Sequence, residues 1–170
     1  ITVLVRMTLD RDADGNPTAL LQNITDITER KQEEEALREA GERFRFMAES
    51  MPQKIFTAKP DGGVHYLNKQ WTDFTGLSLE EMRGWGWSQS IHPDDVVENM
   101  RRWQQAVGTG EPFEFEHRLR DRHGGYRWHL TRAYAMQNAE GNITMWIGSN
   151  TDIHDMVNVR EELRGAQAQL

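Results

Sequence analysis

The segment "SNTDIHDMV" occupies Ser149–Val157, and an earlier segment, "NITDITERK", occupies Asn23–Lys31. Each places Thr-Asp-Ile after a hydrophobic run and before a charged one. Subtracting 126 from the later positions aligns the two without gaps: Gly141 falls on Gly15, Asn142 on Asn16, Thr144 on Thr18, Asp152 on Asp26 and Ile153 on Ile27. Upstream, Leu130 and Arg132 fall on Leu4 and Arg6; downstream, Glu161, Leu163 and Arg164 fall on Glu35, Leu37 and Arg38. A register held from Leu4 to Arg38 is more than a coincidence of three letters. Both copies share one plan: strand, Gly-Asn turn, strand, Thr-Asp-Ile, charged helix.

Elementary chemistry supports that plan. "DGN" at Asp14–Asn16 and "EGN" at Glu140–Asn142 suit tight hairpin turns, because Gly and Asn tolerate positive φ. "ITMWIG" from Ile143 has the β-branched and aromatic character of a strand. The Asp that follows is placed to accept the free N–H groups of a helix's first turn, and its charge suits the positive helix end. The residues after Asp26 have high helix propensity, with no proline before Pro52. In heptad register the facing positions are Ile27, Arg30, Glu34, Leu37, Gly41, Phe44, Ala48 and Met51. The second copy gives Ile153, Met156, Arg160, Leu163, Gln167 and Leu170. The spacing fits a coiled coil, and the polar residues and glycine in the seam make it a weak one.

Composition narrows the function classes. Among 170 residues, 20 are basic and 27 acidic, a net charge of −7. Nucleic acid and anionic membrane both call for a basic footprint, so neither is expected as a partner. No apolar run is long enough to span a membrane, and no signal-peptide pattern opens the chain. The chain lacks cysteine, which removes disulfides and thiolate chemistry and fits a cytoplasmic setting. The wider protein is free to carry a membrane anchor elsewhere.

Between the two copies, "QKIFTAKPDGGVHYLNKQW" reads as strand, turn, strand. "NKQWTDFTGLSLEEMRGWGW" reads as two short helices: Asn68 is a candidate cap for the first, which ends at Gly76. Ser78 and Glu81 form a capping box for the second. "SIHPDDVVENMRRWQQAVGTG" reads as a longer helix, with Pro93 near its start, Gly108 at its end and an apolar face of Val96, Met100, Trp103 and Val107. Two alternating strands follow, "PFEFEHRLR" and "YRWHLTRAYAM", joined by a turn at "RHGG", and "NITMWIGSN" supplies the last. Two strands, several helices and three strands make an α+β layout: an antiparallel sheet with helices gathered on one face.

These elements, in this order, resemble a PAS domain with its C-terminal PAC-type motif, of the kind found in bacterial sensor histidine kinases and related signalling proteins. The resemblance is carried by "GGVHYLNKQWTDFTGLSLEEM", "IHPDD", "FEFEHRLRDRHGGYRWHLTRA" and "EGNITMWIGSNTDI". It implies a five-stranded antiparallel sheet cupped around a small cavity and flanked by N- and C-terminal linker helices. It further implies a module that takes a small-molecule ligand or partner, dimerises, and passes a signal along the exiting helix. On this reading residues 1–27 are the C-terminal strands of a truncated preceding domain and 28–42 a helical linker. Residues 43–155 form a complete domain, and 156–170 start an output coiled coil. The expected partners are a second copy, through the flanking helices, and an adjacent PAS or output domain.

The resemblance also bears on cofactors. Flavin-binding light-sensing relatives form an adduct with a cysteine, which this chain lacks. Haem-binding relatives often use a histidine on the long helix, and Val96–Val107 contains none, so haem is disfavoured. The cofactor is otherwise unassigned.

Candidate site residues follow from an apolar pocket lining. Phe56, Tyr66, Trp71 and Phe74 come from the first strands and helix. Trp85 and Trp87 come from the glycine-flanked "RGWGW", Met100 and Trp103 from the long helix, and Phe115 and Trp128 from the late strands. Most of these aromatics are expected simply to fill the core. Asp26, Thr151, Asp152 and Ile153 are the candidate signal-coupling residues. Arg118 and Arg132 project from strands, where surface ion pairs are their ordinary use.

Other patterns fail on chemistry. Asp10, Asp12 and Asp14 imitate a calcium loop, but its twelfth position is Leu21 where a glutamate is needed. His117 and His129 are expected to face each other across adjacent strands as surface or half-buried residues; spacing places no third metal ligand. His154-Asp155 imitates a phosphoacceptor, yet it aligns with Thr28 at the start of a linker. No catalytic constellation is found, so the module itself is expected not to be an enzyme. The leading expectation is a sensory and signal-transmission module; the alternative is a structural dimerisation spacer with no bound ligand.

Overall fold

The computed structural model describes residues 1–167. The seam position Leu170 lies outside the described residues. The chain divides into two compact units, Ile1–Phe46 and the residues from Met47 onward.

The first unit holds an antiparallel hairpin, β1 (Val3–Arg11) and β2 (Pro17–Asp26), followed by α1 (Thr28–Ser50), whose last turn belongs to the second unit. The hairpin closes at Gly15, where φ is 85°, a conformation that costs a side-chain-bearing residue far more than glycine. Every residue of β1 and β2 is exposed. Intrahelical pairs such as Arg30–Glu34 and Arg38–Glu42 lace the solvated surface of α1, each contributing only a few tenths of a kcal/mol.

The second unit is α+β. Its five strands are β3 (Lys54–Ala58), β4 (Val64–Leu67), β5 (Phe113–Arg120), β6 (Tyr126–Gln137) and β7 (Ile143–Asp152). They form one antiparallel sheet in the order β4-β3-β7-β6-β5. Between β4 and β5 run α2 (Lys69–Thr75), α3 (Leu79–Met82), a 3-10 turn (Gly86–Ser90) and α4 (Pro93–Thr109); α5 (His154–Gln167) leaves after β7. The expected capping box is present: the Ser78 hydroxyl accepts the Glu81 N–H, and the Glu81 carboxylate accepts the Ser78 N–H. Pro93 is the first residue of α4, but Gly110 closes that helix in the left-handed conformation, two residues beyond the expected Gly108. Asn68 stands at the cap position of α2 without a side-chain cap bond. It is fully buried and works elsewhere: Oδ1 accepts the Ile55 N–H, and Nδ2 donates to the carbonyls of Ala48 and Gln53. One side chain thus satisfies three backbone groups, two of them in buried bonds that are costly to leave unmade.

The core lies between the concave sheet face and α2–α4. Trp103 sits at its centre, with ring centroids 5.1 Å from Trp146, 5.2 Å from Phe113 and 6.2 Å from Phe56, all edge-on. Edge-to-face pairing adds to burial, which stabilises by about 1.5–3 kcal/mol for each large apolar side chain. The Trp103 indole donates to the Gly62 carbonyl at 3.1 Å. Gly148 of β7 is needed for a steric reason: a Cβ there would lie 2.4 Å from the Phe56 ring and 2.8 Å from the Arg132 carbonyl oxygen.

Candidate functional site

A cavity of about 40 Å³ opens inside the second unit, under the sheet. Of the pocket candidates read from sequence, it is lined by Phe56, Trp71, Trp87 and Trp103. The other six lie away from it. The Tyr66 hydroxyl donates to Glu49 at the end of α1, and Phe74 packs on the His129 ring. Trp85 is exposed beside Trp87. Met100 is half-buried on α4. Phe115 lies under the Arg102 guanidinium, and Trp128 sits opposite Arg118 on the other sheet face, its ring 5.2 Å from that guanidinium. The strand parity explains Trp128: on β6 the inward side chains are His129, Thr131 and Ala133, which puts Trp128 out of phase with the core.

The polar lining is what sequence reasoning missed. His117 and His129 do face each other in the β5–β6 ladder, but they are not surface or half-buried residues. Their exposures are 2% and 0%, because both strands turn these positions to the concave face. His117 is held between Asn99 of α4 (Nδ1 to Nδ2, 2.9 Å) and Thr131 of β6 (Nε2 to Oγ1, 2.8 Å). Burial, with His129 nearby, depresses its pKa to about 3, so the imidazole is neutral. With His117 Nδ1 paired to the Asn99 amide nitrogen, the Asn99 amide oxygen has no protein partner. Turning the amide over would exchange the atoms but still leave one unpaired. The indole N–H groups of Trp71 and Trp87 and the Asn150 amide oxygen are also buried without a protein partner, and all three residues line the cavity. Alternation alone could have flagged Asn150, a polar residue on the inward phase of β7.

The second feature is the junction of β7 with α5. Asp152 Oδ1 accepts the His154 N–H at 3.0 Å in the first turn of α5. The Arg127 guanidinium donates to Asp152 through Nε at 2.6 Å and also reaches Asp155 at 3.3 Å. Burial raises the Asp152 carboxyl, but the bonds from Arg127 and His154 outweigh it and hold the group below its usual range. Behind it, buried Lys54 lies 2.9 Å from His129 Nε2 and 3.9 Å from the centre of the Phe74 ring. Burial lowers Lys54 to about 8; burial and the Lys54 charge lower His129 to about 4. Thr151 pairs with Leu130, and the N–H of buried Ile153 donates to the Trp128 carbonyl. In the first unit, Asp26 accepts the N–H and hydroxyl of Thr28 in the same manner.

The two strand arginines are engaged by carboxylates. Arg118 grips Asp95 through Nε and Nη2 at 2.9 and 2.7 Å. Arg132 pairs with Glu114 at 2.8 Å. Among the described residues, no three acidic, histidine or cysteine side chains gather as a metal site.

A profile of the family described as PAS fold matches residues 64–150, just over half of the chain. The chain belongs to the PAS-fold family. An uncharacterised protein of Sinorhizobium fredii, y4lL, is 37% identical over 143 residues, covering 84% of this chain and 17% of that protein. The peroxide stress-activated histidine kinase mak1 of Schizosaccharomyces pombe is 30% identical over 170 residues, covering 91% of this chain and 10% of the kinase. The chain therefore spans less than a fifth of these curated relatives. Among solved structures, a sensory box histidine kinase/response regulator from Burkholderia thailandensis superposes with a TM-score of 0.56 at 23% identity, covering 75% of this chain and 96% of that one. An RNA-binding light-oxygen-voltage receptor gives 0.67 at 18% identity, covering 77% of this chain and 38% of that one. The five-stranded antiparallel sheet is the PAS fold. No described helix is long and apolar enough to cross a membrane.

Neither a flavin nor a haem fits this PAS cavity. Its 40 Å³ holds about three waters, and both nitrogens of His117, the histidine in its wall, are occupied by protein partners.

Proposed function

We propose that this PAS domain is a non-catalytic sensory relay, in which a small ligand in the cavity biases the helix that leaves the sheet. One observation carries the reading: β7 serves both sites. Its Asn150 lines the cavity and carries a buried amide oxygen with no protein partner, and two residues later Asp152 holds the first turn of α5. A change in how Asn150 is satisfied acts on the strand whose end anchors the exit helix, which is the kind of two-state element a relay needs. Replacing Asp152 with Ala in the longer signalling protein is expected to weaken the response of its output to stimulus. Unchanged output and unchanged response would sink the relay.

The exposed stripe Met156, Val159 and Leu163 on α5 favours a second reading, a dimerisation spacer in which this helix pairs with that of another copy. Sedimentation at several concentrations separates the two: a relay keeps its ligand response as monomer and dimer, whereas a spacer shows only the concentration-dependent dimer. The same reading takes residues 1–27 as the closing strands of a preceding domain of this kind, supported by a ladder register that repeats that of β6–β7.

A further inference from the structure

Five polar residues stand in the cavity wall, yet the surface they leave open to it is almost wholly apolar. The Ser90 hydroxyl is spent on the Trp87 carbonyl at 2.7 Å. His117 is paired at both nitrogens, to Asn99 and to Thr131. The unpartnered amide oxygens of Asn99 and Asn150, like the indole nitrogens of Trp71 and Trp87, have almost no surface that a water-sized molecule could touch. A molecule in the cavity therefore meets carbon.

That restricts what enters. A buried water needs about two to four polar partners, and apolar cavities stay dry. Among the described residues, no Asp, Glu, Lys or Arg lines the cavity, and burial keeps the His117 imidazole neutral. An ion would be stripped of water without meeting a countercharge, and a hydroxyl or amide would lose its bonds to water and gain none. An apolar molecule loses nothing of that kind. Atoms lining a void lack partners on one side, and an apolar occupant restores those dispersion contacts.

We propose that the cavity binds a compact apolar molecule of the dissolved-gas and short-hydrocarbon class. The 40 Å³ available limits it to about two to four heavy atoms. The inference rests on the cavity being the ligand site of the relay. Such a ligand acts on Asn150 of β7 through packing, with no hydrogen bond of its own.

The test uses three probes of one size and different polarity: propane, ethanol and ethylammonium. Each is titrated into the 170-residue chain while methyl resonances are followed by NMR. The methyls of Val64, Leu67 and Leu119 report on the cavity wall. Those of Ile55, buried outside it, are the control. Propane is expected to move the three wall residues saturably, with a Kd of about 1–10 mM, as befits three heavy atoms, and to leave Ile55 still. Ethanol is expected to bind about tenfold more weakly, and ethylammonium not at all. Val64→Ile, which adds one methylene to the wall, is expected to weaken propane about threefold; the comparison of propane with ethanol needs no variant. Ethanol or ethylammonium binding as tightly as propane overturns the apolar class and leaves the ligand site standing. Unchanged propane affinity in Val64→Ile overturns the cavity as the place where propane binds. Silence toward all three probes, or long-lived water at the wall methyls, shows a packing void or a water pocket only and overturns the proposal; the Asp152→Ala output test decides the relay separately.

Discussion

The β1–β2 hairpin and the β6–β7 hairpin are one local structure in two settings. Adding 126 to the pairing of β1 with β2 gives that of β6 with β7: Arg6 opposite Asn23 becomes Arg132 opposite Ser149, and the irregularity between Asp10 and Arg11 becomes that between Met136 and Gln137. The exits agree as well. Ile27 N–H donates to the Thr2 carbonyl and Ile153 N–H to the Trp128 carbonyl, while Asp26 and Asp152 each accept the N–H two residues on. Burial separates them. Val5, Met7, Leu9, Leu20 and Ile24 are exposed. Their counterparts Thr131, Ala133, Ala135, Trp146 and Asn150 are buried or half-buried. Turn chemistry and strand pattern specify a hairpin and a capped helix locally, whereas a core needs further strands and helices to close over one face.

The largest difference should appear on acidification. The first unit has no histidine, while His117 and His129 are buried neutral at about 3 and 4. Unfolded, each binds a proton near its ordinary value of about 6.5. Between these limits the unfolded state holds more protons, so stability falls as pH drops. All six tryptophans lie in the second unit, so urea unfolding followed by tryptophan fluorescence reads that unit alone. A loss of about 6 kcal/mol between pH 7 and 4 is expected, about 3 for each histidine; a flat profile would show that the histidines take up protons as readily in the fold as in the unfolded chain. Lys54 leaves this window alone, since it titrates at about 8.

Next in size is glycine against its counterpart. Gly148 aligns with Gln22 of the hairpin, which tolerates a long side chain because nothing packs on it. Gly148→Ala should cost about 2–3 kcal/mol by driving a methyl into Phe56 and the Arg132 carbonyl. Gln22→Ala should leave the unfolding midpoint where it is. Equal effects would mean that the hairpin is as tightly packed as the sheet.

The smallest effect concerns the helix junctions. Asp152→Ala removes the bond to the His154 N–H and the Arg127 pair, at a cost of about 1 kcal/mol. Asp26→Ala removes only the bonds to Thr28, with a smaller effect. Amide exchange at His154 and Thr28 measures both. If the two accelerate equally, Arg127 adds nothing and the junctions are equivalent.

Much of this was legible in the chain. Alternation and turn residues placed five strands and the long helix, the 126-residue offset placed both junctions, and Ser78-x-x-Glu81 placed its capping box. These signals are local, because a turn, a cap or a strand phase needs only its neighbours in sequence. The reading went astray where a residue's partner is distant. Asn68 looked like a helix cap and instead satisfies backbone from three other places. His117 and His129 looked superficial, and Trp128 looked internal, because alternation gives two faces without saying which one is covered.

By itself, then, the sequence determined the order of elements, the doubled hairpin and the two Thr-Asp-Ile junctions. Only the tertiary structure decided that α2–α4 cover one face of the sheet. That choice buries two neutral histidines, takes up Arg118 in an ion pair with Asp95 of α4, and brings Trp71, Trp87, Trp103, Asn99 and Asn150 to the wall of one small cavity. The physical reason is that hydrogen-bond satisfaction is a property of the closed core. Whether the amide of Asn99 has a partner depends on a residue far along the chain, His117, which meets it only once the sheet and helices have packed together.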